Sequence, residues 1–378
     1  MPWWQWSDTE RDSGQTGAMT VAMEPLHVSG VVLPEEEARD LWIVDGRLSF
    51  TPVPGARTIA ENVWIMPGLA DAHCHIGLDM NGATPIDVAE QQAIDEREVG
   101  VLLIRDAGSP SDTRWVDDRA DLPRIIRAGR HIARPKRYIR NFASEIEPED
   151  LVEEIETQIA AGDGWIKLVG DWIDREVGDL KPLWPADVLN AAVARTHELG
   201  GRITVHHFGE EGVDELLDAG VDGIEHGTGL TPDTIARAAE QKVALVPTMI
   251  NIDNFPGIAA SGEEKYPTWG KHLRALYAKS ADTFRACAEA GVTMYAGTDA
   301  GGMVPHGLIS DEIAKMAEIG GAEFALGAAS WRSREWLGVD GLTEGASADL
   351  VCYDSDPRED VRVIKDPARV VLRGVISR

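Results

Sequence analysis

A chain of 378 residues, 43% hydrophobic and 26% charged, is long enough to bury a sizeable core, and no apolar run approaches the ~20 residues of a membrane helix, so a membrane-spanning class is excluded. Sixty-four acidic against 36 basic residues give a net charge of −28, which argues against nucleic acid or an anionic membrane as partner, although an acidic surface more often serves solubility than recognition. Cys74, Cys287 and Cys352 include no C-x-x-C pair, so neither a disulfide framework nor a thiolate zinc cluster is expected and a cytoplasmic location is.

In chain order, residues 1–22 lack a basic stretch followed by an apolar one, do not read as a signal peptide, and are expected to be a disordered tail. Trp3, Trp4 and Trp6 there could dock elsewhere, and Met19 or Met23 could equally start translation. Residues 23–65 alternate short apolar segments ("LHVSGVVL", "LWIVDGRLSF", "NVWIM") with Gly, Pro and acidic residues, and 341–378 have the same texture ("SADLVCYDSD", "RVVLRGVISR"). The two ends are therefore expected to share a small β-sandwich module bracketing residues 66–340.

Inside the bracket, eight strand candidates alternate with helical periods: "WIMPGLADAH", "VGVLLIRDAG", "PRIIRAGRHI", "GWIKLVGD", "GRITVHHF", "GVDGIEHG", "KVALVPTM" and "GVTMYAGTDAG". Helices are expected at 84–99, 148–162, 185–199, 210–219, 231–241 and 270–291, with more over 311–337. Eight such repeats predict an α/β fold, a (β/α)8 TIM barrel, whose functional side chains project from the C-terminal ends of the strands.

Those ends carry His73 and His75, Lys167, His206 and His207, His226, and Asp299. Alternation puts Asp71, His73 and His75 on one face and Cys74 on the other, packed against helices; it favours His206 over His207 as the inward residue. Singly, an H-x-H pair can be a ligand pair or two core imidazoles, and a lone Asp is usually a cap. Together, four imidazoles and a carboxylate on one rim would be costly to bury without a cation, and nitrogen and oxygen donors suit zinc. An ammonium beside a metal would be repelled, so Lys167 is read as neutralised by burial or carboxylated by CO2; turned outward it would merely snorkel.

The run from Pro67 to the C-terminus resembles the amidohydrolase superfamily, in its imidazolonepropionase- and prolidase-like branch with Xaa-Pro dipeptidases and Xaa-Arg/Lys carboxypeptidases. The motifs that carry the likeness include "PGLADAHCH", "IRDAGSP", "GWIKLV", "ITVHHFGEEGVDELLDAGVDGIEHGT", "AGTDAGGMVPHGL" and "GASADLVCYDSDP". The resemblance implies a binuclear centre of two divalent ions, zinc by preference. His73 and His75 would bind one ion, His206 and His226 the other, and Lys167, as a carbamate, would bridge them. Asp299 would complete the set and act as general base and acid in hydrolysing a C–N bond of a dipeptide, N-acyl amino acid or related small amide.

It also makes His306 a candidate substrate contact, with an ordinary loop histidine as the alternative; a homo-oligomer acting on a small molecule, with no nucleic acid or membrane partner, is expected. One departure stands out: where the branch often has Tyr or His two residues beyond the strand-five ligand, this chain has Phe208, so either His207 polarises the substrate carbonyl, the second metal does so alone, or the substrate differs from a dipeptide. Two rivals remain at this stage. One is a mononuclear deaminase or cyclic-amide hydrolase using His207 and Glu210 of "HFGE"; the other is a catalytically silent scaffold.

Overall fold

The computed structural model describes residues 24–378, and the tail expected over 1–22, with its tryptophans and start sites, lies outside them. Both ends of the described chain enter one seven-stranded sheet, in the order Val375–Ile376, Arg369–Leu372, Leu350–Tyr353, Arg57–Pro67, Leu26–Val32, Glu37–Val44, Arg47–Ser49. Alternation buries Leu26, Val28 and Val32 on one face, and they pack with Leu41, Ile43, Ile65, Leu350 and Val371. Where Leu26–Val32 runs parallel to Arg57–Pro67, a side chain at Gly30 would overlap the Val63 carbonyl, so the glycine is required. The two ends, expected to share a small β-module, are hydrogen-bonded as this one sheet.

"WIMPGLADAH", expected as one strand, is two. Residues up to Pro67 pair antiparallel with Leu350–Tyr353, whereas Leu69–Cys74 begins a parallel sheet opposite Val101–Asp106. The chain changes sheet at Gly68, where a Cβ would come within 2.6 Å of Leu102.

The inner strands are all parallel. Leu69–Cys74, Val101–Asp106 and Arg124–Arg127 form one sheet. Ser144–Glu145, Ile132–Ala133, Trp165–Val169, Arg202–His207, Gly223–His226 and Ala244–Val246 form the other, in that order. Strands covered on both faces should read as continuous apolar runs, and "WIKLV" is buried at every position. Helices Ile86–Glu98, Leu151–Ala161, Ala186–Glu198, Val213–Ala219, Pro232–Gln241 and Pro267–Glu289 intervene close to where periodicity places them. The fifth is started by Thr231, whose hydroxyl accepts from Thr234 N in a capping box ahead of Pro232.

The eighth strand candidate has no continuous ladder. Residues 293–300 make single bridges, Met294 to Leu245 and Ala300 to Cys74, and Ala72 N and Asp299 N bond across the gap to Ala296 O and His73 O at 2.8 and 2.7 Å. The segment thereby joins the two parallel sheets. Two residues explain its irregularity: at Gly297 a Cβ would approach His73 to 2.7 Å, and Asp299 adopts a left-handed φ of +60°. Helices Met249–Ile252 and Phe255–Gly262 and the hairpin Asp171–Asp174/Asp179–Pro182 were not expected from the sequence. The run 311–337 divides into Ile309–Gly320, Ala322–Ala329 and Trp331–Trp336. Among the described residues no helix is long and apolar enough to cross a membrane.

Candidate metal centre

His73 and His75 at the end of Leu69–Cys74, Lys167 in Trp165–Val169, His206 in Arg202–His207, His226 closing Gly223–His226, and Asp299 in the joining segment converge on one spot. Asp299 Oδ1 lies 3.1 Å from His73 Nε2 and 3.0 Å from His75 Nε2. Lys167 Nζ is 3.4 Å from His73 Nε2, and His226 Nε2 is 2.9 Å from His206 Nδ1. One donor atom each from His73, His226 and Asp299 fall within 4.8 Å of one another. Asp299 is the most open of the group, its side chain 20% exposed, while His73 and His75 are buried beneath it.

The far nitrogens of His73, His75 and His226 are anchored. His73 Nδ1 meets Glu225 Oε2 at 2.7 Å, His75 Nδ1 donates to Gly108 O at 2.6 Å, and His226 Nδ1 hydrogen-bonds Thr248 Oγ1 at 2.8 Å. Such anchoring fixes the tautomer and aims the other nitrogen inward. A carbonyl only accepts, so His75 carries its proton on Nδ1. Burial lowers the pKa of His75 to about 4 against the small opposing effect of Asp299, leaving the ring neutral at pH 7. Its Nε2 is then a lone pair facing a carboxylate oxygen, an arrangement that a cation between them resolves. His73 has one carboxylate at each nitrogen. Burial also holds His206 and His226 well below the ordinary imidazole value, and His206 Nε2 is buried without a partner. The neutral His75, His206 and His226 rings and an ionised carboxylate fit a divalent ion of zinc's preferences.

Burial works against ionisation of Asp299, but the neighbouring His73 and His75 rings outweigh it and hold its pKa well below the usual range. Its Oδ2 accepts from Asn251 Nδ2 at 2.6 Å. Lys167 is 1% exposed, and burial lowers its amine to about 8, so a substantial neutral fraction exists at neutral pH. His226, Thr248 and Asp299 all have positive φ, of +69°, +45° and +60°, a concentration of backbone strain at the centre.

Not every predicted residue joins this group. His207 turns to the other side of its strand, with Nε2 3.0 Å from Glu211 O. His306 lies behind Leu69–Cys74, its Nδ1 2.9 Å from Glu96 Oε1. Glu210, which the deaminase reading needs at the ligands, instead pairs with His272 Nε2 at 2.8 Å and with Lys279 on the surface. Phe208 does approach, its ring centroid 4.3 Å from that of His206 and 4.8 Å from that of His226. Trp172 and Tyr138 continue this aromatic wall, 5.5 and 5.4 Å from His206 and 4.8 Å from each other.

Two charged residues were missed. Glu225, fully buried, accepts from Arg105 Nη2 at 2.5 Å and from Thr204 Oγ1 as well as facing His73. Burial opposes its charge, yet the Arg105 guanidinium and His73 hold its pKa well below the usual range. Arg105 also donates to Ala72 O at 2.6 Å and stacks on Trp165 and Trp336. The signal was present: "VLLIRD" and "DGIEH" each place one charge inside an otherwise apolar parallel strand, and two such charges of opposite sign imply a buried pair. His131, buried with neither ring nitrogen bonded, packs 5.0 Å from His75 and was passed over inside the third strand candidate.

Residues 64–376 match the family model described as Amidohydrolase family. An uncharacterized protein of Mycobacterium tuberculosis is 56% identical over 352 residues, covering 92% of this chain and 95% of its own. Ochratoxinase of Aspergillus niger is 25% identical over 232 residues, 59% of this chain and 47% of that one. Among solved structures, a Xaa-Pro dipeptidase with bound methionine superposes with a TM-score of 0.78 at 21% identity, over 93% of this chain and 99% of that one. The Aspergillus niger ochratoxinase structure superposes with a TM-score of 0.75 at 18% identity, over 94% and 95%. These structural likenesses show the amidohydrolase fold, of TIM-barrel type. With the family model spanning most of the sequence, the chain belongs to the amidohydrolase family and is an enzyme that hydrolyses carbon–nitrogen bonds.

Proposed function

We propose that this enzyme hydrolyses a small amide, a dipeptide or an N-acyl amino acid with an apolar or aromatic group. In this reading His73, His75, Lys167, His206, His226 and Asp299 hold two divalent ions, zinc by preference. The observation that carries the reading is the neutral His75 ring, anchored outward on Gly108 O, whose Nε2 lone pair faces Asp299 without a proton between them. Divalent ions held there would acidify a water molecule and polarise the scissile carbonyl.

The chain's own groups do the rest. Asp299 takes the proton of the attacking water and returns it to the leaving nitrogen as the C–N bond breaks, so the acyl carbon gains the hydroxyl and the amine leaves protonated. Asn251, bound to Oδ2, holds that carboxylate in one rotamer. Lys167, buried and with its pKa lowered, supplies the neutral amine that reacts with CO2 to give a carbamate, which brings an anionic oxygen donor where the bare amine offers none. Phe208 cannot donate to a developing oxyanion. Tyr138 can: burial, with the Asp299 charge, raises its phenol pKa and keeps the proton on.

The Tyr138–Trp172–Phe208 wall beside His206 favours an apolar or planar group there. Relatives and neighbours named ochratoxinase, molinate hydrolase and phenylurea hydrolase B are consistent with amides beyond dipeptides. The all-parallel inner strands and the joining segment 293–300 support a closed (β/α)8 barrel, and the three free, buried thiols suit a cytoplasmic protein.

The test has two arms. Lys167→Ala is expected to lose metal and nearly all activity, and wild-type protein equilibrated with 13C-bicarbonate to show a carbamate carbon resonance; an active variant with unchanged metal content would refute the centre. A panel of Xaa-Pro and Xaa-Arg dipeptides, N-acyl aromatic amino acids and aminopurines should give amino-acid release from the amides. Ammonia from the heterocycles alone would overturn the substrate class.

A further inference from the structure

On the face of Leu69–Cys74 turned away from His73 and His75, three side chains from three elements meet. They are Cys74 of the strand, Glu96 of the helix Ile86–Glu98, and His306 of the loop after Asp299. His306 Nδ1 lies 2.9 Å from Glu96 Oε1 and 3.7 Å from Cys74 Sγ, and Cys74 Sγ is 3.9 Å from the same Glu96 oxygen. All three donor atoms fall within 4.8 Å of one another. Alternation placed Cys74 here as packing and nothing more, and His306 was expected over the substrate.

A tetrahedral ion with bonds of about 2.0–2.3 Å sets its donor atoms roughly 3.3–3.8 Å apart. The two sulfur distances are close to that spacing. The shorter nitrogen–oxygen contact is what the same pair adopts when a proton, rather than an ion, is shared between them.

Charge gives a second, independent indication. Glu96 is fully buried, and its other oxygen, Oε2, has no partner, nor has His306 Nε2. Asp71 and Asp106 are buried on the neighbouring strands. Asp71 is bonded only by Thr298 and backbone N–H groups, and Asp106 Oδ1 by Gly108 N, with Oδ2 unpaired. Glu96 has one imidazole, His306, as its charged partner, and a buried carboxylate oxygen without a partner is costly. A divalent ion would supply the missing positive charge, and one sulfur, one nitrogen and one oxygen donor are within the ligand range of zinc and cobalt.

We propose that Cys74, Glu96 and His306 form a second metal site, buried and structural, that ties the first inner strand, the first helix and the loop beyond Asp299 together behind the six-residue centre. An ion there is taken up as the chain folds, because Cys74 and Glu96 are fully buried and the His306 side chain is only 6% exposed. It fixes the two segments that carry His73, His75 and Asp299 from the rear.

The experiment uses full-length protein produced with cobalt as the supplied metal. The six-residue centre offers nitrogen and oxygen donors alone, and Cys287 and Cys352 lie in apolar cores, so a thiolate-to-cobalt charge-transfer band in the near ultraviolet reports Cys74. The band is expected in wild-type protein, and in Lys167→Ala even where that variant has emptied the other centre, which keeps the two proposals separable. Cys74→Ser should abolish it and lower the metal content by one ion per chain. A metal-replete wild-type protein without the band overturns the proposal, as does a band that survives Cys74→Ser. Should Cys74→Ser fail to fold, the wild-type spectrum decides alone, and X-ray absorption of the zinc protein must then show a sulfur scatterer.

Discussion

The residue with the most to lose at the centre is Glu225, which is not among the six converging side chains. Its carboxylate fixes the His73 ring and neutralises Arg105, and both partners are fully buried. Glu225→Gln is expected to lower metal affinity by about 10–100-fold, read by competition with a chelator, because the His73 tautomer is no longer enforced. It should also destabilise the fold by about 3–5 kcal/mol in chemical denaturation, since Arg105 is left buried and unpaired. Tyr138→Phe tests the oxyanion role: kcat should fall by about 10–1,000-fold with KM little changed, whereas a merely packing ring would leave kcat intact. The six converging residues were legible because each sits at or near a strand end, where a polar residue interrupts an apolar run. Glu225 and Arg105 were not, because their meaning lies in each other, and they are 120 residues apart.

At the scale of elements, the hairpin that carries Trp172 is held by His272 of the helix Pro267–Glu289. His272 Nδ1 meets Asp179 and Nε2 meets Glu210, each at 2.8 Å. Glu210 first, and Asp179 with it, raise its pKa from 6.5 to about 9 despite partial burial. The folded state therefore binds the proton more tightly than the unfolded one. The resulting stability is fully present below pH 6.5 and is lost as pH rises through about 9. After screening by solvent it amounts to about 1–2 kcal/mol. Melting curves from pH 6 to 10 should fall more steeply for wild type than for His272→Gln; parallel curves would remove the clamp. The alternation of strands and helices was legible from periodicity. The irregular segment 293–300 was not, because its shape follows from the close approach of Gly297 to His73, a contact no local pattern encodes.

Across the whole molecule, the terminal sheet and the parallel strands are not independent bodies. The main core contains Leu33, Met66, Val351, Tyr353 and Leu372 from the ends of the chain together with Ile104, Ile166 and Ile203 from the inner strands. Calorimetry should accordingly show one cooperative transition for the metal-free protein, and deletion from residue 350 onward, which strips the partner from Arg57–Pro67, should leave it insoluble. That both ends are β-rich was readable from their alternation. That they share a core with the centre was not, since the boundary residues face both ways.

The left-handed backbone at Thr248 has a consequence for how this enzyme could change over generations. A glycine there would relax a conformation that threonine tolerates poorly, and Thr248→Gly is expected to raise the melting temperature while removing the hydroxyl that orients His226. Selection for heat resistance and selection for turnover would then pull this one codon in opposite directions, and a library screened for each trait in turn would show it.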